Sequence, residues 1–551
     1  MRRPGATLEA LLDMMMEGIL IALLIFAPLA FGAVQTWAFS LVQAGLVVLF
    51  ALWLGRLIWS RPASRTARSG SDRTGVTLLG YRFLRTGFGW PVAAFLALVC
   101  LQLVPLPPGL LRAISPETAA TYARSLPGYA EGGPVDFRRL DEWLVGRSEG
   151  VVAGVLSAQG TLPVEGRVSA SAFRPLTLYP LATAGRLLTL TCFVMVFLAV
   201  AHCIRSRPQI ERLCWVVTLL GLGMSVLGVV QRLQWNGRIY WLYPVSEDAT
   251  PFGPFLNRNH FAAWLEMAIP LALGMFLTRL TGSARYGGAT EQERGFWSWS
   301  GLSRRGPDPI ARLGLSAFSA VMMLGALLMS GSRGAVLSLG AAVMLYGAVL
   351  LARRQVGRLE WAVGACALIA AIAFSAWIGF EDLAEMKRRL ETVAGLEQEP
   401  SLAARMVGWS YTTRIVADYP VAGTGLGTFA EAWIRYYPPG TANISKEANN
   451  DYLQVASETG LAGAAIFAWG LWRFLRRYLL RDPEPIHAAA PEDRYLWHGI
   501  AVGLLSILLH SLVDFGLQVA AIALLFVTLS AIMVGQAARS EEHPRAEGGV
   551  P

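Results

Sequence analysis

The sequence predicts an all-α fold: a polytopic integral membrane bundle of about twelve transmembrane helices with two larger loops on one side. Three observations predict it. Of the 551 residues, 54% are hydrophobic and only 15% charged, and the mean hydropathy of +0.45 lies outside the range of soluble globular chains. Apolar runs long enough to cross about 30 Å of hydrocarbon recur along the chain. Arginine and lysine crowd every second connection between those runs.

In chain order the spans fall near 17–36, 38–58, 89–107, 181–203, 211–231, 259–279, 313–331, 334–352, 360–380, 452–473, 495–513 and 515–536. The start, Met1-Arg2-Arg3 followed by an apolar run from Ile19 to Ala33, reads as a retained first span because a second span follows closely. The basic connections are Arg56 to Arg85, Arg205 to Arg212, Arg279 to Arg312, Arg353 to Arg358 and Arg473 to Arg481. They place both termini in the cytoplasm of a bacterial inner membrane. The organisation expected is spans one to three over 1–107, a periplasmic loop over 108–180, spans four to nine over 181–380, a periplasmic cap over 381–450, spans ten to twelve over 451–537 and a cytoplasmic tail over 538–551.

The net charge of +9 carries no nucleic-acid reading, because the arginines are interspersed between apolar runs and no basic domain accompanies them. All five cysteines lie in or beside apolar segments, which argues against a disulfide framework, a zinc site or a cysteine nucleophile. Neither a metal nor a soluble cofactor is implied. The cap of 381–450 starts with a charged, helix-compatible stretch around Asp382–Leu396. It continues through Ser401–Ala417 to a glycine-rich turn at Ala422–Gly427, so short surface helices are expected. Tyr240, Trp241 and Tyr243 read as interfacial belt residues.

Ionisable residues at the membrane boundary are costly and invite a functional reading. Away from the cytoplasmic flanks they collect on the other side: Arg258 and His260 open the sixth span, Arg333 lies between the seventh and eighth, Asp451 and Glu458 begin the tenth, and His510 and Asp514 close the eleventh. Arg258 and Glu266 lie eight residues apart, and His510, Asp514 and Gln518 recur every four, so each set would line one helix face if its helix runs unbroken. Arginine forks suit a diphosphate and the charge on a leaving group. A base would activate an acceptor hydroxyl, and since His202, His487, His498 and His543 fall on the cytoplasmic side, only His260 and His510 reach the site. The plainer readings stand beside these. Arg258 and Arg333 also suit anchors to lipid headgroups, His510 a polar residue bonded across helices, Glu266 and Glu458 structural partners of an arginine, and Asn450 a helix cap.

At the tenth span, Asn449-Asn450-Asp-Tyr-Leu-Gln-Val-Ala-Ser-Glu458-Thr-Gly460-Leu-Ala-Gly463 resembles the signature of the O-antigen ligase family, His-Asn followed after nine residues by Gly-x-x-Gly. Three further pieces are similar to the same family: Ser330-Gly-Ser-Arg-Gly334; Arg405-Met-Val-Gly-Trp409 with Tyr419-Pro-Val-Ala-Gly-Thr-Gly-Leu-Gly427; and His510-Ser-Leu-Val-Asp-Phe-Gly-Leu-Gln518. The resemblance implies metal-independent transfer of a glycan from an undecaprenyl-diphosphate carrier to a glycan, lipid A core or protein acceptor at the periplasmic face, or polymerisation on that carrier. It implies no nucleic-acid partner. Arg258, Arg333 and Arg405 would hold the diphosphate, and the catalytic candidates are His260, Asn449, Asn450, Glu458, His510 and Asp514.

One position departs from the signature: the histidine assigned as base is Asn449 here, and a neutral amide accepts no proton at pH 7. Three readings follow: His260 or a carboxylate (Asp451, Glu458, Asp514) replaces it, the reaction runs on positioning and arginine electrostatics, or the chain binds glycan lipid without transferring it. A transporter or flippase, the rival of another class, would place its charges near the bilayer midplane with repeat-related broken helices.

Overall fold

A computed structural model describes residues 4–59, 75–78, 81–84, 86–126, 129, 135–136, 169–170, 173–246, 249–285, 309–354, 402–436, 446–480 and 493–542. The expected ninth span at 360–380, the stretch Asp382–Leu396 and most of the connection 279–312 lie outside the described residues.

The helices are α1 (Pro4–Leu29), α2 (Thr36–Trp59), α3 (Gly89–Leu103), α4 (Pro108–Ile114), α5 (Pro116–Ser125), α6 (Pro180–Cys203), α7 (Arg207–Leu233), α8 (Arg258–Arg285), α9 (Pro309–Met329), α10 (Arg333–Ala352), α11 (Leu402–Asp418), α12 (Phe429–Tyr436), α13 (Asp451–Phe474), α14 (Arg494–His510) and α15 (Ala520–Glu542). Among the described residues, eight helices are long and apolar enough to cross a membrane, so the chain is a helical multi-pass membrane protein. Among the described residues, strand is confined to three small antiparallel pairs: Gly75–Leu78 with Tyr81–Leu84, Val135–Asp136 with Ser169–Ala170, and Arg238–Ile239 with Tyr243–Pro244. Tyr240 and Trp241 form the turn of the third pair, both with positive φ.

The first helix differs from its expected span. It begins at Pro4 and stops at Leu29, where Gly32, with φ of 73°, turns the chain toward α2. Two of its early carboxylates, Asp13 and Glu17, are met by arginines. Asp13 is gripped by Arg56, and the buried Glu17 receives Arg212 at 2.7 and 2.8 Å.

By internal packing the chain divides into two units. The first comprises 1–89, 189–401 and 471–551, the second 90–188 and 402–470. In the first unit α8 is the central helix. It lies against α14 through Gly499 and Gly503, which face the α8 backbone at Pro270 and Met267, and through Gly274, which faces Tyr495 and Leu496. A methyl added at Gly503 would stand 3.0 Å from the Met267 backbone. Small residues four apart let two helix backbones approach where lipid provides no hydrophobic drive between them.

Both ends of α8 carry arginine. At one end Arg279 pairs with Glu211, beside Arg207 on Asp493 and Arg212 on Glu17. At the other, about 30 Å away along the helix, stands Arg258. The basic connections read as one membrane flank supply the first group, and the candidate site the second.

The second unit has two apolar centres. Leu106, Leu111, Ala119, Tyr129, Leu176 and Ala422 make one, and Ile415, Tyr419, Phe429, Ala432, Trp433 and Ala448 the other. Helices were expected around Ser401–Ala417, and α11 occupies that stretch.

Candidate functional site

In the first unit the chain enters α8 through a tight turn. Phe252 and Phe255 exchange backbone hydrogen bonds, and Gly253 between them has φ of 55°. Asn257 then caps the helix: its carbonyl accepts the N–H of Phe261, and its side-chain oxygen that of Asn259. Arg258 and His260 therefore stand in the first turn of α8. Between α9 and α10, Gly331 takes φ of 70°. A methyl there would lie 3.7 Å from Arg258 Nη1, so the Arg258 guanidinium hangs over the turn that leads into Arg333.

Two histidine–carboxylate pairs complete this cluster. His260 Nε2 is 3.9 Å from Asp514 Oδ1, and its ring stands edge-on to Phe515 at 4.8 Å. His510 Nδ1 is 2.6 Å from Glu266 Oε1, and Ser506 donates to Glu266 Oε2 at 2.5 Å. Glu266 is wholly buried and His510 nearly so. The close α8–α14 crossing brings these short side chains together across two helices. The other edge of His510 faces α10, and a methyl at Gly334 would be 2.8 Å from Nε2. Arg258, His260, His510 and Asp514 thus lie near one another in this unit, and Arg333 opens α10 between Gly331, which faces Arg258, and Gly334, which faces His510.

Two expectations here are corrected. His510, Asp514 and Gln518 do not line one unbroken helix, because α14 ends at His510 and Gln518 sits in a separate short turn at Gly516–Gln518. The cause is local: the Asp514 carboxylate accepts the N–H of Phe515 at 2.8 Å and bends the chain. Glu266 meets a histidine as an ion pair and a serine as a hydrogen-bond donor, not an arginine.

The second unit holds Arg405, Asn449, Asn450, Asp451 and Glu458. Asn450 is the cap it was read to be, its side chain accepting the N–H groups of Tyr452 and Leu453 at 3.0 Å. Asn449 has φ of 52°, a left-handed conformation that asparagine tolerates better than most residues. Its carbonyl accepts from Trp409 at 3.3 Å. Arg405 lies in the first turn of α11, partly buried.

Glu458 has a different environment from its namesake in α8. Its carboxylate accepts the N–H of Gly427 at 2.8 Å and of Phe429 at 3.3 Å, so it caps α12 from outside. Two residues later Gly460, with φ of 64°, breaks α13. The freed backbone groups bond to the glycine-rich loop: Leu461 N–H to Pro420 and Gly425 N–H to the Glu458 carbonyl. Gln102 of α3 completes the seam, donating to the carbonyls of Ala422 at 2.7 Å and Glu458 at 2.9 Å and accepting from Leu426 at 3.0 Å. The Gly-x-x-Gly end of the signature thus has a backbone purpose at its first glycine.

Glu447 sits beside this seam. Gln454 bridges it to Glu458, and Arg186 lies 3.5 Å away. Burial pushes the Glu447 carboxyl above its ordinary range, opposed by Arg186 and the Gln454 hydrogen bond. The sequence reading missed Glu447, Gln454, Gln102 and the pairing of Glu266. The available signals were polar side chains inside apolar stretches, with nothing in the sequence to name their partners. Among the described residues there is no group of three or more His, Cys, Asp or Glu that could hold a metal ion.

These features define an integral membrane protein of many helices with buried histidines and carboxylates, flanked by the partly buried Arg258 and the exposed Arg333, at one end of its central helix. Residues 318–468 match the family model described as O-Antigen ligase, the family that the chain's motifs resemble. The match spans Arg333, Arg405, Asn449, Asn450 and Glu458, whereas Arg258, His260, Glu266, His510 and Asp514 lie outside it. No curated protein matches the chain.

Proposed function

We propose that this protein transfers a glycan from an undecaprenyl-diphosphate carrier to an acceptor hydroxyl at the periplasmic face of a bacterial inner membrane. The observation that carries the reading is the placement of Arg258, Arg333, His260 and Asp514 at one end of α8 in a chain whose residues 318–468 match the O-antigen ligase family model. His260 takes the acceptor proton, and the freed oxygen attacks the anomeric carbon. The bond from that carbon to the phosphate oxygen breaks, and undecaprenyl diphosphate leaves with the electron pair. Attack from the face opposite the leaving group inverts the anomeric centre. Arg258 and Arg333 take up the charge growing on the diphosphate, while Asp514 favours the imidazolium on His260. On this reading the base lies in α8, and position 449 is released to serve as a left-handed turn. Arg405 is proposed as a phosphate contact of the second unit.

The test is transfer by the purified protein in nanodiscs, with a synthetic undecaprenyl-diphosphate oligosaccharide, a chelator throughout, and acceptors that include a second lipid-linked glycan. Transfer that collapses in Arg333→Ala and His260→Ala supports the proposal, and use of the lipid-linked acceptor identifies a polymerase. Asn449 motivates a second reading, a glycan-lipid binder without turnover. Donor binding with no transfer, restored by Asn449→His, would establish that reading instead.

A further inference from the structure

The position of Glu266 is costly. A carboxylate wholly buried in the middle of an apolar helix needs partners to offset its lost hydration, and a well-packed apolar side chain would avoid the cost altogether. Its two oxygens are both engaged by α14, one 2.6 Å from His510 Nδ1 and the other 2.5 Å from Ser506 Oγ. A carboxylate on Nδ1 fixes both the tautomer and the plane of an imidazole.

What that fixed ring touches next is the first turn of α10. The ring edge carrying Nε2 packs on Gly334 so closely that a methyl there would lie 2.8 Å from Nε2 and 3.1 Å from the neighbouring ring carbon. Gly334 directly follows Arg333, and the Gly331 turn leads into it from the other side. We propose that Glu266 is a positioning residue which, through His510, sets the first turn of α10 and thereby the place of Arg333 in its anion site. The proposal rests on the reading that Arg333 meets the carrier diphosphate. It assigns Glu266 and His510 no proton-transfer step.

A positioning role predicts a signature that a merely structural role lacks. The variants are Glu266→Gln, which keeps volume and an acceptor for Ser506, and Gly334→Ala, which leaves the pair intact and pushes on the ring from the other side. Each is measured in nanodiscs for donor KM and kcat and for binding of undecaprenyl diphosphate alone, in wild-type and Arg333→Ala backgrounds. In the wild-type background each is expected to weaken diphosphate binding and raise donor KM by between about tenfold and about 100-fold, with kcat changed by less than about threefold. The double variant should fall short of the product of the two, since both displace one ring. In the Arg333→Ala background neither should weaken binding further.

Wild-type binding in both variants, or losses of equal size with and without Arg333, would overturn the proposal and leave the transferase reading standing. If the wild-type protein binds the diphosphate without transferring glycan, and the variants lose that binding through Arg333, the positioning role holds and the transferase reading falls. A wild-type protein that does not bind undecaprenyl diphosphate overturns both. Should Glu266→Gln fail to give a monodisperse protein, Gly334→Ala carries the same test alone.

Discussion

Glu266 and Glu458 are the same residue in similar settings, each buried inside an apolar helix, yet they are neutralised by different means. Glu266 is met by side chains, the imidazole of His510 and the hydroxyl of Ser506, across an unbroken helix crossing. Glu458 is met mainly by backbone N–H groups, those of Gly427 and Phe429, beside a helix that breaks at Gly460. Backbone donors neither titrate nor rotate, so the second arrangement serves to hold a loop. Side-chain partners can be reoriented and exchanged, so the first arrangement can hold and adjust a site. The comparison teaches that a buried carboxylate in a membrane helix should be judged by what satisfies it.

The comparison breaks most readily at Glu458. Glu458→Ala strands two buried amides at about 1–3 kcal/mol each, so a loss of about 4 kcal/mol is expected in detergent unfolding, while Glu458→Gln should recover more than half of it. Equal stability of Glu458→Ala and wild type would show that the cap is not what the carboxylate is for. Next in size, Arg333→Ala should lower transfer by about 100-fold with little change in unfolding midpoint, the inverse of the Glu458 pattern. A third test bears on the glycine loop: Gly425 has φ of 111°, and a methyl would collide with the Thr177 side chain. Gly425→Ala should therefore cost about 2 kcal/mol of stability, read by the same unfolding curve.

The smallest effects concern pH, and two carboxylates of the second unit predict opposite signs. Hydrogen bonds from Arg124 and then Arg435 hold Glu117 below its ordinary value of 4.5. Its stabilising share is present above that value and fades as pH falls through the lowered one. Burial holds Glu447 above 4.5, so its share is present below that value and fades as pH rises through the raised one. Unfolding midpoints of Glu447→Gln should be flatter than wild type on the alkaline side of about pH 4.5, and those of Glu117→Gln flatter on the acid side. Glu117 is partly exposed, so its effect should stay under about 1 kcal/mol. An unchanged slope in Glu447→Gln would mean that Arg186 and Gln454 offset its burial in full.

Part of this site was legible in the chain. Arg258, His260, Arg333, His510 and Asp514 stood out because each is ionisable at the edge of an apolar run, where the cost of burial makes any such residue conspicuous. Asn450 was legible as a cap because capping is local, depending on the two or three residues that follow it. Glu266 was visible as an anomaly, but its partner was not, since His510 lies on a helix far along the chain. Gly499 and Gly503 were equally visible and equally mute, because small residues report close packing without naming the surface packed against. The break at Gly460 was obscured by continuous hydropathy: α13 reads as one span, and only the bonds to Pro420, Gly425 and Gln102 explain how an open turn is satisfied there.

The sequence by itself determined the membrane character of the chain, the order of its apolar helices, the flank where arginine accumulates, and the family its motifs resemble. Those follow from hydropathy, charge and short-range turn chemistry, all summed over neighbouring residues. Only the tertiary structure decided that Glu266 faces His510, that His510 faces Gly334, and that Glu458 caps the start of α12. Such pairings depend on which helix backbones approach within a few ångströms, a property of the packed bundle that no local stretch of sequence carries.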